Sequence, residues 1–251
     1  MNAPTPAVPR AVLQLGAVAL PNGLLWLERS RTLVVADAHL AYEEAIGGAL
    51  PLWSTGEALA TLERAVARSG AREVIFLGDI IHGSRMSQGA AEIVRGALAA
   101  LRRACDVTLV AGNHEGRTRG VAVLGETLLF AERDGWLLVH GDDVAQGGMR
   151  RIVGHLHPTI PLGGGKSAPA FLASARLIVV PALTPYSSGL NVLSRQCAQA
   201  LRGFGCSSAE FAVVASGESC VYPFGSLTAL RAATAGASAG GRYARKRLSP
   251  D

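Results

Sequence analysis

All six histidines of this 251-residue chain fall in five short segments, and each segment closes a run of apolar residues. The segments read ADAH at 36–39, GDIIH at 78–82, GNHE at 112–115, VHGD at 139–142 and GHLH at 154–157. They bring together His39, His82, His114, His140, His155 and His157 with Asp37, Asp79 and Asn113. Such groups are costly to bury without partners. A single histidine at a strand end is usually a hydrogen-bonded structural residue, but this many at five ends reads as one site. Ligands of open α/β sheets gather at the carboxyl ends of the strands, where these side chains would meet. Imidazole, carboxylate and amide donors without thiolate suit Mn, Fe, Zn or Ni rather than Cu(I) or an iron–sulfur cluster. Two such ions about 3.5–4 Å apart, bridged by a carboxylate, lower the pKa of a water between them and take up phosphoryl charge during in-line displacement. The chemistry is hydrolysis of phosphate esters.

For five endings to converge, the apolar runs must be strands held in register by helices. AVLQLGAVAL, PNG and LLWLER read as a hairpin turning on Asn22-Gly23, followed by the strand TLVVADAH. STGEALATLERAVARSG reads as a helix, with Ser54 and Glu57 at capping-box spacing, Leu59, Leu62 and Val66 on one face, and Gly70 as its stop. The strand EVIFLGD comes next. SQGAAEIVRGALAALRRA reads as a second helix that turns Ile93, Val94, Ala97, Leu98 and Leu101 inward. DVTLVAGN, GWLLVHGD, RIVGHLH and ARLIVVPAL read as strands, and EFAVVAS with SCVYPF as a closing hairpin. The pattern is mixed α/β, with sheets covered by helices.

Composition narrows the setting. About half the residues are apolar, and no apolar run reaches the roughly 18 residues of a membrane span. The N-terminus has no basic start and is broken by prolines, which argues against a signal peptide and makes a cytoplasmic protein the default. The four cysteines show neither disulfide nor zinc spacing and read as reduced thiols. Residues 1–9 and 232–251 read as disordered ends around one domain at 10–231. Arg242, Arg245, Lys246 and Arg247 against Asp251 give the tail +3 of the total +5, so the body is nearly neutral. A basic tail can hold nucleic acid loosely, but it reads first as a solvated end.

Taken in order, D-x-H, G-D-x-x-H, G-N-H-E, H-G and G-H-x-H resemble the calcineurin-like metallophosphoesterases over residues 36–157. The resemblance implies a four-layer α/β/β/α sandwich and two divalent ions, Mn²⁺ first and Fe, Zn or Ni as alternatives. It implies that Asp37, His39 and His157 hold one ion, that Asn113, His140 and His155 hold the other, and that Asp79 bridges them. His114 would face the phosphate as a general acid, with Glu115 orienting it. The motif GDIIHG lacks the acid and arginine of the protein-phosphatase branch, and His82 resembles the phosphate-positioning histidine of the nuclease and phosphodiesterase branches. LLWLERSRTLVVADAHLAYEEA, GNHEGR, GHLHPTI and VVPALTPYSSGLNV resemble the small bacterial and archaeal group that includes the ligase-associated DNA-damage-response endonucleases. LAYEE after the first motif and the basic tail depart from the ligase-linked bacterial members. The expected activity is phosphoester hydrolysis, with a phosphodiester, single-stranded DNA or nucleotide substrate favoured. A small-molecule phosphomonoesterase or nucleotide pyrophosphatase is the first alternative, and a non-catalytic metal-binding scaffold the second. The oligomeric state is left open, a homodimer included.

Weaker motifs carry less. Tyr42, Glu43 and Glu44 sit where a helix would start, which suits the acids electrostatically. Arg85, Arg117 and Arg119 follow ligand strands, as solvated loop residues or as phosphate clamps. TPYSSGLN at 184–191 is a turn-rich connection or part of a pocket rim. GGGK at 163–166 lacks P-loop spacing and reads as a flexible turn.

Overall fold

β-Branched and leucine-rich runs make short buried strands, and the chain pairs them into two sheets. A computed structural model describes residues 9–45, 52–83, 86–114, 121–143, 148–184 and 189–235. The first sheet follows sequence order: β1 (Ala11–Gln14), β2 (Ala17–Ala19), β3 (Leu25–Leu27), β4 (Thr32–Val35), β5 (Glu73–Leu77) and β6 (Asp106–Val110). Pairing is antiparallel up to β4 and parallel across β4, β5 and β6. Helices α1 (Tyr42–Ala45) and α2 (Trp53–Ser69) cross from β4 to β5, and α3 (Gln88–Ala104) crosses from β5 to β6. Parallel pairing puts the carboxyl ends of β4, β5 and β6 on one edge, which delivers three of the five motifs there.

The second half supplies the other two. After α4 (Val121–Leu124) come β7 (Ala131–Arg133), β8 (Trp136–Val139), β9 (Arg151–Val153), β10 (Pro158–Gly163), β11 (Lys166–Ala173), β12 (Leu177–Val179) and β13 (Leu190–Asn191). Helix α5 (Arg195–Gly203), β14 (Ala212–Ser216), β15 (Val221–Ser226) and a helical stretch at 227–235 complete the described chain. The sheet order is β13-β10-β11-β12-β9-β8-β7, with β14 pairing β11 and β15. β8, β9 and β12 are parallel, so His140 after β8 and His155 and His157 after β9 emerge together. Three apolar clusters define four layers. Leu62, Val94 and Leu98 from α2 and α3 cover the outer face of the first sheet at Leu33, Val35 and Phe76. Val34, Ile75 and Leu77 meet Trp136, Ile152 and Phe171 between the sheets. Cys197 and Leu201 of α5 cover Val153, Leu172 and Val179 on the far side. This is the α/β/β/α sandwich that the sequence resemblance implied. Among the described residues no helix is long and apolar enough to cross a membrane.

Two local expectations are corrected, and two are borne out with additions. The expected hairpin at Asn22-Gly23 is present, with Pro21–Gly23 a 3₁₀ turn joining antiparallel β2 and β3, and a second turn at Leu15-Gly16, both at positive φ, splits the preceding run into β1 and β2. Leu52, not Ser54, is the N-cap of α2 and makes no side-chain cap, so Ser54 lies inside the helix, whereas Gly70 does close it in the left-handed region. Ile93 is 47% exposed, because the inward stripe of α3 runs through Val94, Leu98 and Leu101. GGGK is a turn as expected, and it closes a β10–β11 hairpin whose strands the sequence reading missed, as it missed β7 and α5.

The two sheets are also tied by charge, at the end away from the motifs. Glu73, at the amino end of β5, accepts from Arg133 Nε and Nη2 on β7, each at 2.7 Å, and from Thr108 Oγ1 at 2.7 Å and Thr32 Oγ1 at 3.2 Å. Burial opposes ionisation of Glu73, but the bonds from Arg133 and Thr108 outweigh it and hold its pKa below the ordinary 4.5. A depressed carboxylate pKa adds stability above the ordinary value, and that stability is lost as pH falls through the lowered one. Arg133→Leu is expected to cost about 2 kcal/mol, at the modest end because Arg133 is 35% exposed. Thermal denaturation at pH 7 should show Tm lower by roughly 4–8 °C, with the gap to wild type closing as pH drops below Glu73's range. An unchanged Tm at pH 7 would count against the tie.

Candidate metal centre

Five site residues reach the shared edge through backbone that L-residues rarely adopt. Asp37, His39, Asp79, His155 and His157 have φ of 50°, 44°, 46°, 60° and 44°. Left-handed non-glycine residues are uncommon and costly, and they concentrate where a site imposes them. The effect here is to curl each strand end so that alternate residues of D-x-H and H-x-H point the same way. Two glycines let the strand ends close in. A Cβ on Gly78, itself at φ +74°, would lie 2.5 Å from His140 Nδ1, and one on Gly154 would lie 2.6 Å from Asp37 Oδ2.

The side chains gather into two sets. Donor atoms of Asp37, His39 and His157 lie within 4.8 Å of one another, as do those of Asp79, His140 and His155. In the first set, Asp37 is fully buried, and its Oδ2 accepts from the His155 backbone N at 2.9 Å. Its Oδ1 lies 3.1 Å from His157 Nε2, yet no hydrogen-bond donor among the described residues satisfies this buried oxygen. In the second set, His140 Nδ1 sits 2.9 Å from Leu77 O, which fixes the proton on Nδ1 and leaves a lone pair on Nε2. That lone pair faces His155 Nδ1 at 3.2 Å, Asn113 Oδ1 at 2.8 Å and Asp79 Oδ2 at 3.5 Å. Acceptors converging on acceptors repel unless a cation lies among them, so the donor set fits divalent metal on both sides.

The acid–base state of the rings agrees. Burial, then the neighbouring His157, His82, His114 and His140, pushes His39 down to about 3. Burial and His140 lower His155; burial and His114 lower His82. Burial also pulls on His157, but the adjoining Asp37 carboxylate outweighs it and raises the pKa. His39 and His155 are thus held in the neutral form that ligates, whereas the Asp37 carboxylate favours the protonated form of His157, whose proton a cation would displace.

The remaining sequence candidates surround these sets. Asp79 Oδ1 accepts from the His114 backbone N at 3.0 Å, and His114 Nε2 lies 3.7 Å from Asp79 Oδ2. The His114 ring is 5.3 Å from those of both His39 and His82 and stacks on the latter. His82 Nδ1 lies 3.1 Å from His39 Nδ1, which turns His39 Nε2 toward a ligand. Glu115, Arg85, Arg117 and Arg119 lie outside the described residues, as does the 185–188 part of TPYSSGLN. Glu43 and Glu44 do open a short helix, and they also brace the two long ones. Glu43 accepts from Thr55 in the first turn of α2, and Glu44 accepts from Ser87, the N-cap of α3. Tyr42 does more than start the helix: its ring packs edge-on against His82 at 4.4 Å. Its place three residues beyond D-x-H was the available signal. The Leu77 carbonyl gives no sequence signal, because a carbonyl is common to every residue; Gly78 and Gly154 stand in the GDIIH and GHLH motifs, but the close approaches that require them there did not show in the sequence.

No curated protein gives a significant match. The Pseudomonas putida nuclease MPE is similar in fold, with 20% sequence identity, 88% of this chain and 100% of that chain covered, and a TM-score of 0.66. The phosphoesterase YfcE from E. coli aligns more loosely, at 14% identity, with 78% and 98% covered and a TM-score of 0.43. The family profile for the calcineurin-like phosphoesterases matches residues 30–174, a span that opens just before Asp37 and closes beyond His157. With its five motifs, both donor sets and more than half its length inside that match, the chain belongs to the calcineurin-like phosphoesterase family.

Proposed function

We propose that this chain is a dinuclear, metal-dependent phosphodiesterase acting on nucleic acid or nucleotide-like diesters. The observation that carries the reading is the pair of adjacent donor sets, Asp37-His39-His157 and Asp79-His140-His155. We assign Asn113 to the second set, where it meets His140, and Asp79 as the carboxylate shared between the two. When bound, the ions supply Lewis-acid stabilisation of phosphoryl charge and a water of lowered pKa. The chain's own groups do the rest. Leu77 O holds the His140 tautomer, and His82 holds His39 through their paired Nδ1 atoms. His114, tethered by its backbone to Asp79, is exposed enough to meet substrate and hands a proton to the leaving oxygen. Glu115 would orient that ring. The nitrogen and oxygen donors, without thiolate, support Mn²⁺ as the native ion, with Fe, Zn or Ni as substitutes. His82, stacked on His114, supports a diester over a monoester, since it adds a second imidazole to the face where the phosphate would sit. The nuclease name of the Pseudomonas putida fold neighbour supports the same choice. A cytoplasmic setting is supported by the four free cysteines.

One assay plate tests this reading. A nitrophenyl monoester, bis-nitrophenyl phosphate, nucleotides and single-stranded DNA are compared under Mn²⁺, Zn²⁺ and Ni²⁺. Cleavage of the diester and DNA, best with Mn²⁺, is the expected result. Turnover of the monoester alone would replace the reading with a small-molecule phosphatase, and silence under every metal would replace it with a scaffold.

A further inference from the structure

Beside the metal centre lies a pocket of about 370 Å³ that shares one wall, His157, with the first donor set. Its volume is at the small end of ligand sites, with room for one sugar-and-base unit but not for a base pair. The opposite wall is built to hold its shape. Asn22 takes a left-handed conformation, donates from its backbone N to Gly217 O at 2.8 Å and from Nδ2 to Glu218 O at 3.0 Å. Gly23 N donates to Ser216 Oγ at 2.8 Å, and that hydroxyl donates to Leu20 O at 3.2 Å. These bonds stitch the first sheet to β14, so the cavity is preformed.

The lining chemistry is specific. Pro158, Pro169 and Pro181 line it with rigid apolar rings that can pack against a sugar or a base. Thr61, Thr159 and Ser167 add hydroxyls, which donate and accept. Glu57 and Glu218, both exposed, stand at the pocket, and no lysine or arginine lines it among the described residues. Carboxylates without a cation repel phosphate and accept from hydroxyls. The pocket therefore takes an uncharged, hydroxyl-bearing group next to a phosphate held at His157, and it resists a second phosphate further out.

We propose that this pocket seats one terminal nucleoside of a short phosphodiester whose phosphate lies at the metal centre. The proposal rests on the phosphodiesterase reading above and adds its substrate class: dinucleotides and strand ends lacking a terminal phosphate, ahead of continuous strands.

The test separates the pocket from the centre. Binding of thymidine to the EDTA-treated chain is followed by ligand-observed NMR, and hydrolysis of TpT, pTpT and bis-nitrophenyl phosphate is measured with Mn²⁺. Thr61→Trp fills the pocket from the half-buried face of α2. It should weaken thymidine binding at least tenfold and cut the ratio of kcat/KM for TpT over bis-nitrophenyl phosphate at least tenfold. Glu57→Lys with Glu218→Lys should raise the preference for pTpT over TpT at least threefold. Circular dichroism confirms folding, and the double variant serves if Thr61→Trp fails to fold. Unchanged thymidine binding and substrate ratios in the folded variants, with bis-nitrophenyl phosphate still turned over, overturn the pocket alone. If the wild-type chain hydrolyses none of the three diesters, the phosphodiesterase reading falls and takes the proposal with it.

Discussion

Asp79→Asn is expected to lower bound metal and turnover together. Asparagine is isosteric with aspartate and keeps an oxygen for the His114 backbone N, now 3.0 Å from Oδ1, so the loop after β6 stays in place. What disappears is the negative charge of a carboxylate that is only 3% exposed and faces His140 Nε2 at 3.5 Å. A divalent ion loses its principal anionic neighbour in that set, since His140 and His155 are neutral ligands. The loss of transition-state stabilisation should be of the order of 4 kcal/mol, about a 10³-fold fall in kcat/KM on bis-nitrophenyl phosphate. Metal analysis after dialysis against Mn²⁺ should show fewer ions per chain than wild type, while far-UV circular dichroism is unchanged. Full metal content with full rate would refute the role given to Asp79. The same experiment addresses sharing: a bridging carboxylate predicts loss from both sets, a ligand of the second set alone predicts that Asp37, His39 and His157 keep theirs.

His114→Ala should do the opposite, keeping metal and losing chemistry. The tie between residue 114 and Asp79 that matters for the fold is a backbone bond, which alanine preserves. The ring itself is 38% exposed, lies beside His39 and His82, and belongs to neither donor set. Removing a general acid costs about 10²–10⁴-fold when the leaving oxygen is a poor one, and far less when it departs readily as an anion. The kcat for an alkyl diester should therefore fall by that amount, and for a nitrophenyl diester by only about tenfold. Loss of metal in this variant would place His114 among the ligands. An equal loss for both leaving groups would make it an electrostatic group on the phosphate and not a proton donor.

How far these residues announce themselves depends on what fixes them. The parallel strands β4, β5, β6, β8 and β9 were legible because each couples an apolar run to a polar ending, and burial alone forces that pattern. Gly70 was legible as a helix boundary for a local reason, the backbone geometry of a cap. Less local features were not. The hairpin at Leu15-Gly16, the β10–β11 pair around Gly164-Gly165 and the outward turn of Ile93 depend on what packs against them, which no short window records.

By itself the sequence determined the kind of chemistry: the histidines and their acid and amide companions, tied to strand ends, admit little besides cation binding. Only the tertiary structure decided which donors stand together, that His140 is locked by the Leu77 carbonyl, that Tyr42 packs on His82, and that a pocket lined by no lysine or arginine among the described residues opens at His157. The physical reason is distance along the chain. Residue type is written one position at a time, whereas a lone pair left facing another lone pair, or a cavity between two sheets, exists only once segments more than a hundred residues apart have met, as Asp37 and His155 do here.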